Sequence, residues 1–173
     1  MKRIKQKLIK KEQENNCKYG QQSRSCNRKS DKEACLLDLV NHGLLNEDSK
    51  PMTFNQIRRI AKVLEIPNFK VLEIDKYKKL ASKYREPKNC IIYIPWENSE
   101  NMGHYVSCFT EDNGSLNYQD SFGKMNKCPL TDINRTIHTN KVKYQSIFAN
   151  NCGYLALLHL YTHDKIDPII KRV

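Results

Sequence analysis

At 173 residues the chain is long enough to bury one core and short for two, and its 39% hydrophobic content with mixed charge is ordinary for a globular domain. The longest apolar runs, such as 91–95, fall far short of a bilayer span, and the basic first residues lack the apolar stretch of a secretory signal. An intracellular protein with no membrane partner is therefore expected. Thirty Lys and Arg against 19 Asp and Glu leave a net charge of +11, a field that attracts polyanions over a Debye length of about 8 to 10 Å. Nucleic acid is an expected partner, beside the reading that the lysines serve solubility.

Residues 1–33 are rich in Lys, Arg, Gln, Asn and Ser and hold too few apolar groups to offset the entropy of ordering. They read as a basic N-terminal arm, with residues 34–173 as the folded domain. Cys35, Leu36, Leu39 and Val40 then recur at helical spacing, and Gly43 follows where helices commonly stop. Thr53 with Gln56 three residues on forms a capping box, predicting a helix over 54–64 whose apolar face is Phe54, Ile57, Ile60, Ala61 and Leu64. Its other face carries Arg58, Arg59 and Lys62. Those three, with Lys2, Arg3, Lys5 and Lys7 of the arm, are the candidate nucleic-acid contacts.

Residues 70–74 read as a short strand and 76–84 as a helix that ends before Pro87. Three strands follow at 90–94, 104–110 and 115–120, the last two joined by the hairpin turn Asp112-Asn113-Gly114. A short helix is expected over 131–138, an alternating strand over 141–146 and a strongly apolar helix from Cys152 to His163. Helices bracketing a run of strands predict an α+β fold with a mostly antiparallel sheet. Trp96, at a strand end, is expected to anchor packing.

Seven cysteines, an odd number without dense regular spacing, predict mostly free thiols. Cys17, Cys26 and Cys35 ahead of His42 are spaced more widely than common zinc ligands, and the i, i+4 pair His159 and His163 lacks a third ligand. No metal and no cofactor are expected for the chemistry.

Cys152 opens an apolar helix directly after the polar Asn150-Asn151 loop. Free N–H groups and the positive dipole end at such a position favour a thiolate, which is a nucleophile. Gly153 beside it leaves room for a substrate backbone. His104 stands at the mouth of one strand and Asp120 at the end of the next, so strand pairing brings the carboxylate back to the imidazole. An acid at Nδ1 would fix the tautomer and leave Nε2 for the thiol. His42 and His138 read as surface residues.

In this order His104, Asp120, Gln145 and Cys152 resemble the active site of the adenain-type viral cysteine proteases and their ubiquitin-like-protein protease relatives. The likeness spans roughly 52–165 and includes the Cys-Ile-Ile-Tyr-Ile strand, Gly-His followed by an aromatic, the Asp-Ser-Phe-Gly turn, Gln-Ser, and Asn-Cys-Gly opening a helix. The step from Gln145 to Cys152 matches the adenovirus-type member. The resemblance implies a papain-like, adenain-like fold, with Cys152 as nucleophile, His104 as base, Asp120 as orienting acid and Gln145 at the oxyanion hole. It further implies cleavage after small residues such as glycine. Tyr105 stands where both groups usually have Trp, and is expected to pack on the imidazole. The segment 134–144, which matches the stretch where the adenovirus enzyme bonds an activating peptide, has no cysteine; Cys128 is the nearest.

The resulting expectation is a virion maturation endopeptidase acting on capsid precursors of a small DNA virus, virophage or polinton-like element, in the virion or virus factory. DNA is the candidate activator. A deconjugase of ubiquitin-like modifiers, an acyltransferase and a non-catalytic nucleic-acid-binding module remain alternatives.

Overall fold

The structure is a computed structural model that describes residues 28–46, 49–97, 102–123, 127–146 and 149–163. Lys2, Arg3, Lys5, Lys7, Cys17 and Cys26 lie outside the described residues.

Helix α1 (Arg28–Val40) starts inside the stretch read as arm and runs on into a π-helical turn, Asn41–Leu45, rather than stopping at Gly43. Ser49 holds this turn by donating to the carbonyls of His42 and Asn46 at 2.9 and 2.8 Å. Gly43 is buried, and a Cβ there would make ordinary van der Waals contact with Cβ of Tyr154 at 3.4 Å. Helix α2 (Phe54–Val63) begins with the predicted capping box: Gln56 N–H donates to Thr53 Oγ1 and Thr53 N–H to Gln56 Oε1, at 3.3 and 2.8 Å. Ile57 and Ala61 are buried while Arg58, Arg59 and Lys62 are exposed.

Strand β1 (Phe69–Glu73) and helix α3 (Ile74–Ala81) follow, then β2 (Asn89–Pro95), β3 (Gly103–Thr110), β4 (Leu116–Gln119), β5 (Ile137–Thr139) and helix α4 (Cys152–Thr162). The five strands form one sheet in sequence order. Its two central pairings, β2 with β3 and β3 with β4, are antiparallel; β1 with β2 and β4 with β5 are parallel. The architecture is α+β as expected, but the sheet is mixed rather than mostly antiparallel. Parallel neighbours need long connections. One is supplied by α3, and the other is the crossover from Asp120 to Thr136.

The 131–138 segment forms turns and then β5 instead of a helix, because Arg135 is drawn into the fold. Its Nη1 bonds Glu86 at 2.5 Å and its Nε donates to the Gly114 carbonyl at 2.9 Å. The alternating 141–146 segment is irregular, since its N–H groups serve a loop instead of a strand.

The sheet is covered on both faces, which is why β3 is buried along nearly its whole length. Tyr105 and Phe109 point into a core with α1, α2 and α4, including Ile57, Leu157 and Leu160. Val106 and Cys108 face the other core, with Tyr77, Leu116 and Leu130. Full burial of each such large apolar side chain stabilises by roughly 1.5 to 3 kcal/mol. This two-sided packing fixes the strand that carries His104 against the helix that begins at Cys152.

Candidate active site

His104 is the second residue of β3, and its side chain is buried. Asp120 follows β4 directly and is equally buried. Antiparallel pairing of the two strands brings them together: His104 Nε2 and Asp120 Oδ1 are 2.8 Å apart. The same Oδ1 accepts the N–H of Phe122 at 2.8 Å, which fixes the carboxylate. The acid therefore binds Nε2, not Nδ1 as the sequence reading had it, and Nδ1 is the ring nitrogen left for the thiol. Which nitrogen faces inward depends on the backbone positions of two strands, and spacing carries no information about that.

The ring that covers the imidazole is Phe122, stacked at 4.5 Å between centroids and 25° between planes. Tyr105 does not pack there. As the next residue along the strand it points to the opposite face, and its ring contacts are Phe54 and Tyr93. Phe122 and Ser121 belong to the site: the Asp-Ser-Phe-Gly turn that carries them is legible in the sequence, whereas their contacts with His104 and Gln145 are not. Gly123 of that turn has φ +63, and a Cβ would come within 2.8 Å of the Val142 carbonyl oxygen. Both facts require glycine there.

The turn is tied to the loop leading to Gln145. Asn140 accepts the Asp120 N–H at 2.8 Å and donates to the Asp120 carbonyl at 2.6 Å. The N–H groups of Tyr144 and Gln145 both donate to the Ser121 carbonyl, at 2.9 and 3.0 Å. Gln145 is itself buried, with Oε1 accepting from the Ser121 hydroxyl and Nε2 donating to the Ala149 carbonyl at 2.5 Å. One N–H of its amide is thereby spent, and a primary amide carries two.

Cys152 occupies the first position of α4 and is half-buried. The preceding Asn151 turns its side chain away from the helix, donating to the Gly43 carbonyl at 2.7 Å, so it takes none of the first-turn N–H groups. Gly153 plays a different part from the one read from sequence: it is buried, and a Cβ would lie 3.1 Å from Cβ of Met52. The absence of a side chain leaves that space to Met52.

Electrostatics join the three residues. Burial alone would lower the His104 pKa, but the hydrogen bonds to Asp120 and Cys152 and the charges of both raise it to about 9. The imidazole thus holds its proton at neutral pH between a carboxylate and a sulfur.

The remaining sequence candidates lie elsewhere. His159 donates or accepts at the Ser107 hydroxyl, 2.7 Å from its Nδ1, and His163 Nδ1 lies 3.1 Å from the Leu160 carbonyl oxygen. Burial and the neighbouring His163 push His159 down to about 3. Cys35 packs on the α4 core, while His42 pairs with Asp38 at 3.3 Å. Among the described residues no three His, Cys, Asp or Glu side chains are grouped to hold a metal ion. Nor is any described helix long and apolar enough to cross a membrane. Cys35, Cys90, Cys108, Cys128 and Cys152 are free thiols. Trp96, expected as a packing anchor, is 45% exposed. The arrangement can hold an imidazole that takes the proton of the sulfur beside it, next to uncapped helix N–H groups. No family model matches the chain, and no curated protein matches it.

Proposed function

We propose that the chain is a cysteine endopeptidase of papain-like, adenain-like fold. One observation carries the reading: a buried His104–Asp120 pair whose imidazole interacts with Cys152 at the start of a helix. In the reaction, Cys152 passes its proton to His104, the sulfur attacks the scissile carbonyl carbon as a thiolate, and the electron pair of the carbonyl moves to oxygen. The oxyanion is met by backbone N–H groups at the start of α4 and by the second N–H of Gln145. His104 then gives its proton to the leaving amine as the C–N bond breaks, leaving a thioester. Water, deprotonated by His104, resolves it to the free acid and restores the thiol. Asp120 holds the imidazole in place throughout.

The substrate follows from the sequence resemblance: capsid or other virion precursors, cut after small residues. The exposed Arg58, Arg59 and Lys62 on α2 support DNA as a partner and activator. Co-expression with candidate capsid proteins and mass mapping of new termini tests the reading. New termini with the wild type and none with Cys152→Ala are expected. Release of a ubiquitin-like modifier instead would assign a deconjugase, and no cleavage with DNA bound would assign a binding module.

A further inference from the structure

Five hydroxyl groups line a cavity of about 250 Å³ that has Cys152 in its wall, and four of them are bonded to neighbouring groups. Ser107 pairs with Nδ1 of His159 at 2.7 Å, and the Ser121 hydroxyl donates to Gln145. The Tyr144 hydroxyl donates to Gln119 Oε1 at 3.1 Å and the Thr162 hydroxyl to the Leu158 carbonyl at 2.7 Å. The fifth belongs to Tyr105, and among the described residues nothing bonds it.

Tyr105 is 8% exposed, and its ring is held edge-on to Phe54, at 5.9 Å between centroids, and tilted against Tyr93 at 5.2 Å. A ring held on two sides aims its hydroxyl in one direction. Burial, then the neighbouring Tyr93 and Cys152, raise the phenol above its ordinary pKa. It therefore carries its proton at any working pH, within electrostatic reach of the sulfur. Buried hydroxyls take hydrogen-bond partners, and one left over beside Cys152 marks where a bound molecule supplies the acceptor.

We infer that the Tyr105 hydroxyl donates a hydrogen bond to the substrate backbone, at the carbonyl one residue before the cut. The inference rests on the peptidase reading and deepens it. The leaving amine must sit at His104, and Tyr105, the next residue of β3, points to the opposite face of the sheet. The acyl portion of the substrate is therefore the part on its side of the sulfur. In the proposed reaction the scissile carbonyl is taken by N–H groups at the start of α4, which leaves the preceding carbonyl as the nearest acceptor. A small residue at the cut offers little side chain to grip, so a donor that reaches the backbone holds such a substrate where a side-chain pocket could not.

Two reagents that alkylate the same sulfur in the full chain test this, with mass mapping to read the rate at Cys152. Acetyl-Gly-Gly vinyl methyl ester carries the carbonyl in question between its glycines, and iodoacetamide lacks that segment. Tyr105→Phe keeps the ring and removes only the oxygen. It should slow the vinyl ester about three- to tenfold, the worth of one neutral hydrogen bond, and leave the iodoacetamide rate and the thermal melt unchanged. Replacing the oxygen of that carbonyl by sulfur, a poorer acceptor, should slow labelling of the wild type by a similar factor and leave Tyr105→Phe indifferent. The sulfur-substituted reagent reads the contact in the wild type even if the variant does not fold, and equal wild-type rates with the two acceptors would overturn the inference. Equal slowing of both alkylating reagents in Tyr105→Phe would put the hydroxyl on the Cys152 sulfur, and slowing of neither would leave it to water; each overturns the inference too. A wild type that shows the vinyl ester effects yet cuts neither a Gly-Gly peptide nor any capsid precursor sinks the peptidase reading and leaves the contact assigned. Cleavage of the peptide without those effects does the reverse.

Discussion

Two buried ion pairs sit at opposite ends of the same strands, and they differ in what they are free to do. At one end Arg135 meets Glu86, with both side chains 3% exposed. At the other His104 meets Asp120, both 4% exposed. Arg135 is held fast: it bonds Glu86 and the Gly114 and Ala81 carbonyls, and lies 4.5 Å from the Tyr84 ring centre. Thr110, the last residue of β3, donates to the same Glu86 oxygen at 2.9 Å. A guanidinium keeps its charge at any working pH, so this end pins the strands and does no more. The imidazole can release its proton, has one nitrogen left over, and faces a sulfur. Burial and pairing are common to both ends; an exchangeable proton next to a thiol belongs to one.

The sharpest way to test that contrast is to remove the proposed nucleophile. Cys152→Ala should abolish peptide cleavage while the thermal melt stays close to that of the wild type, because a half-buried sulfur at a helix start contributes little packing. Residual processing by this variant would remove the distinction between the two ends.

Next in size is Gln145→Ala, expected to lower kcat by about 100 to 1,000-fold with KM little changed, the usual cost of losing one oxyanion donor. Gln145 is also held at both ends of its amide, so the variant should lose some melting temperature. Near-normal turnover in the folded fraction would make Gln145 a loop anchor alone.

At the other end the effect should fall on stability. Arg135→Met leaves Glu86 buried and uncompensated, a change that typically costs about 3 to 5 kcal/mol. Chemical denaturation reads the loss, and kcat per folded molecule should be unchanged. Adding Glu86→Gln should restore part of the stability. A kcat loss as large as that of Gln145→Ala would mean that the pin reaches the site.

The same division explains what could be read from sequence. The Thr53/Gln56 box, the Asp112-Asn113-Gly114 turn and the apolar helix after Cys152 are set by neighbours within a few residues, and they form as expected. The order of His104, Asp120, Gln145 and Cys152 pointed to one place, and His104, Asp120 and Cys152 do meet. What failed was set at long range. Residues 131–138 did not form a helix because Arg135 bonds partners 21 and 49 positions away. Residues 141–146 did not form a strand because Tyr144 and Gln145 bond Ser121 across the loop. Parallel pairing of β5 with β4 depends on the crossover between them, and the choice of Nε2 for Asp120 on where β3 and β4 place their backbones.

The smallest effect expected is also the one that best separates the two ends, because it follows a proton. His104 is raised from 6.5 to about 9 in the folded protein. A raised pKa means that the folded state binds the proton more tightly than the unfolded one. The stabilisation is complete below about pH 6.5, and it is lost as pH rises through about 9. Denaturation midpoints measured between pH 6.5 and 10 should fall across that window. kcat/KM should show an alkaline limb near pH 9, since the imidazolium must donate to the leaving amine. Cys152→Ala and Asp120→Asn each remove a group that raises His104, so each should move the stability loss to lower pH. Arg135→Met should weaken the protein at every pH and leave the position of that loss where it was. If Arg135→Met shifts the window as far as Asp120→Asn does, the two pairs are coupled through β3 and the separation drawn between them is wrong.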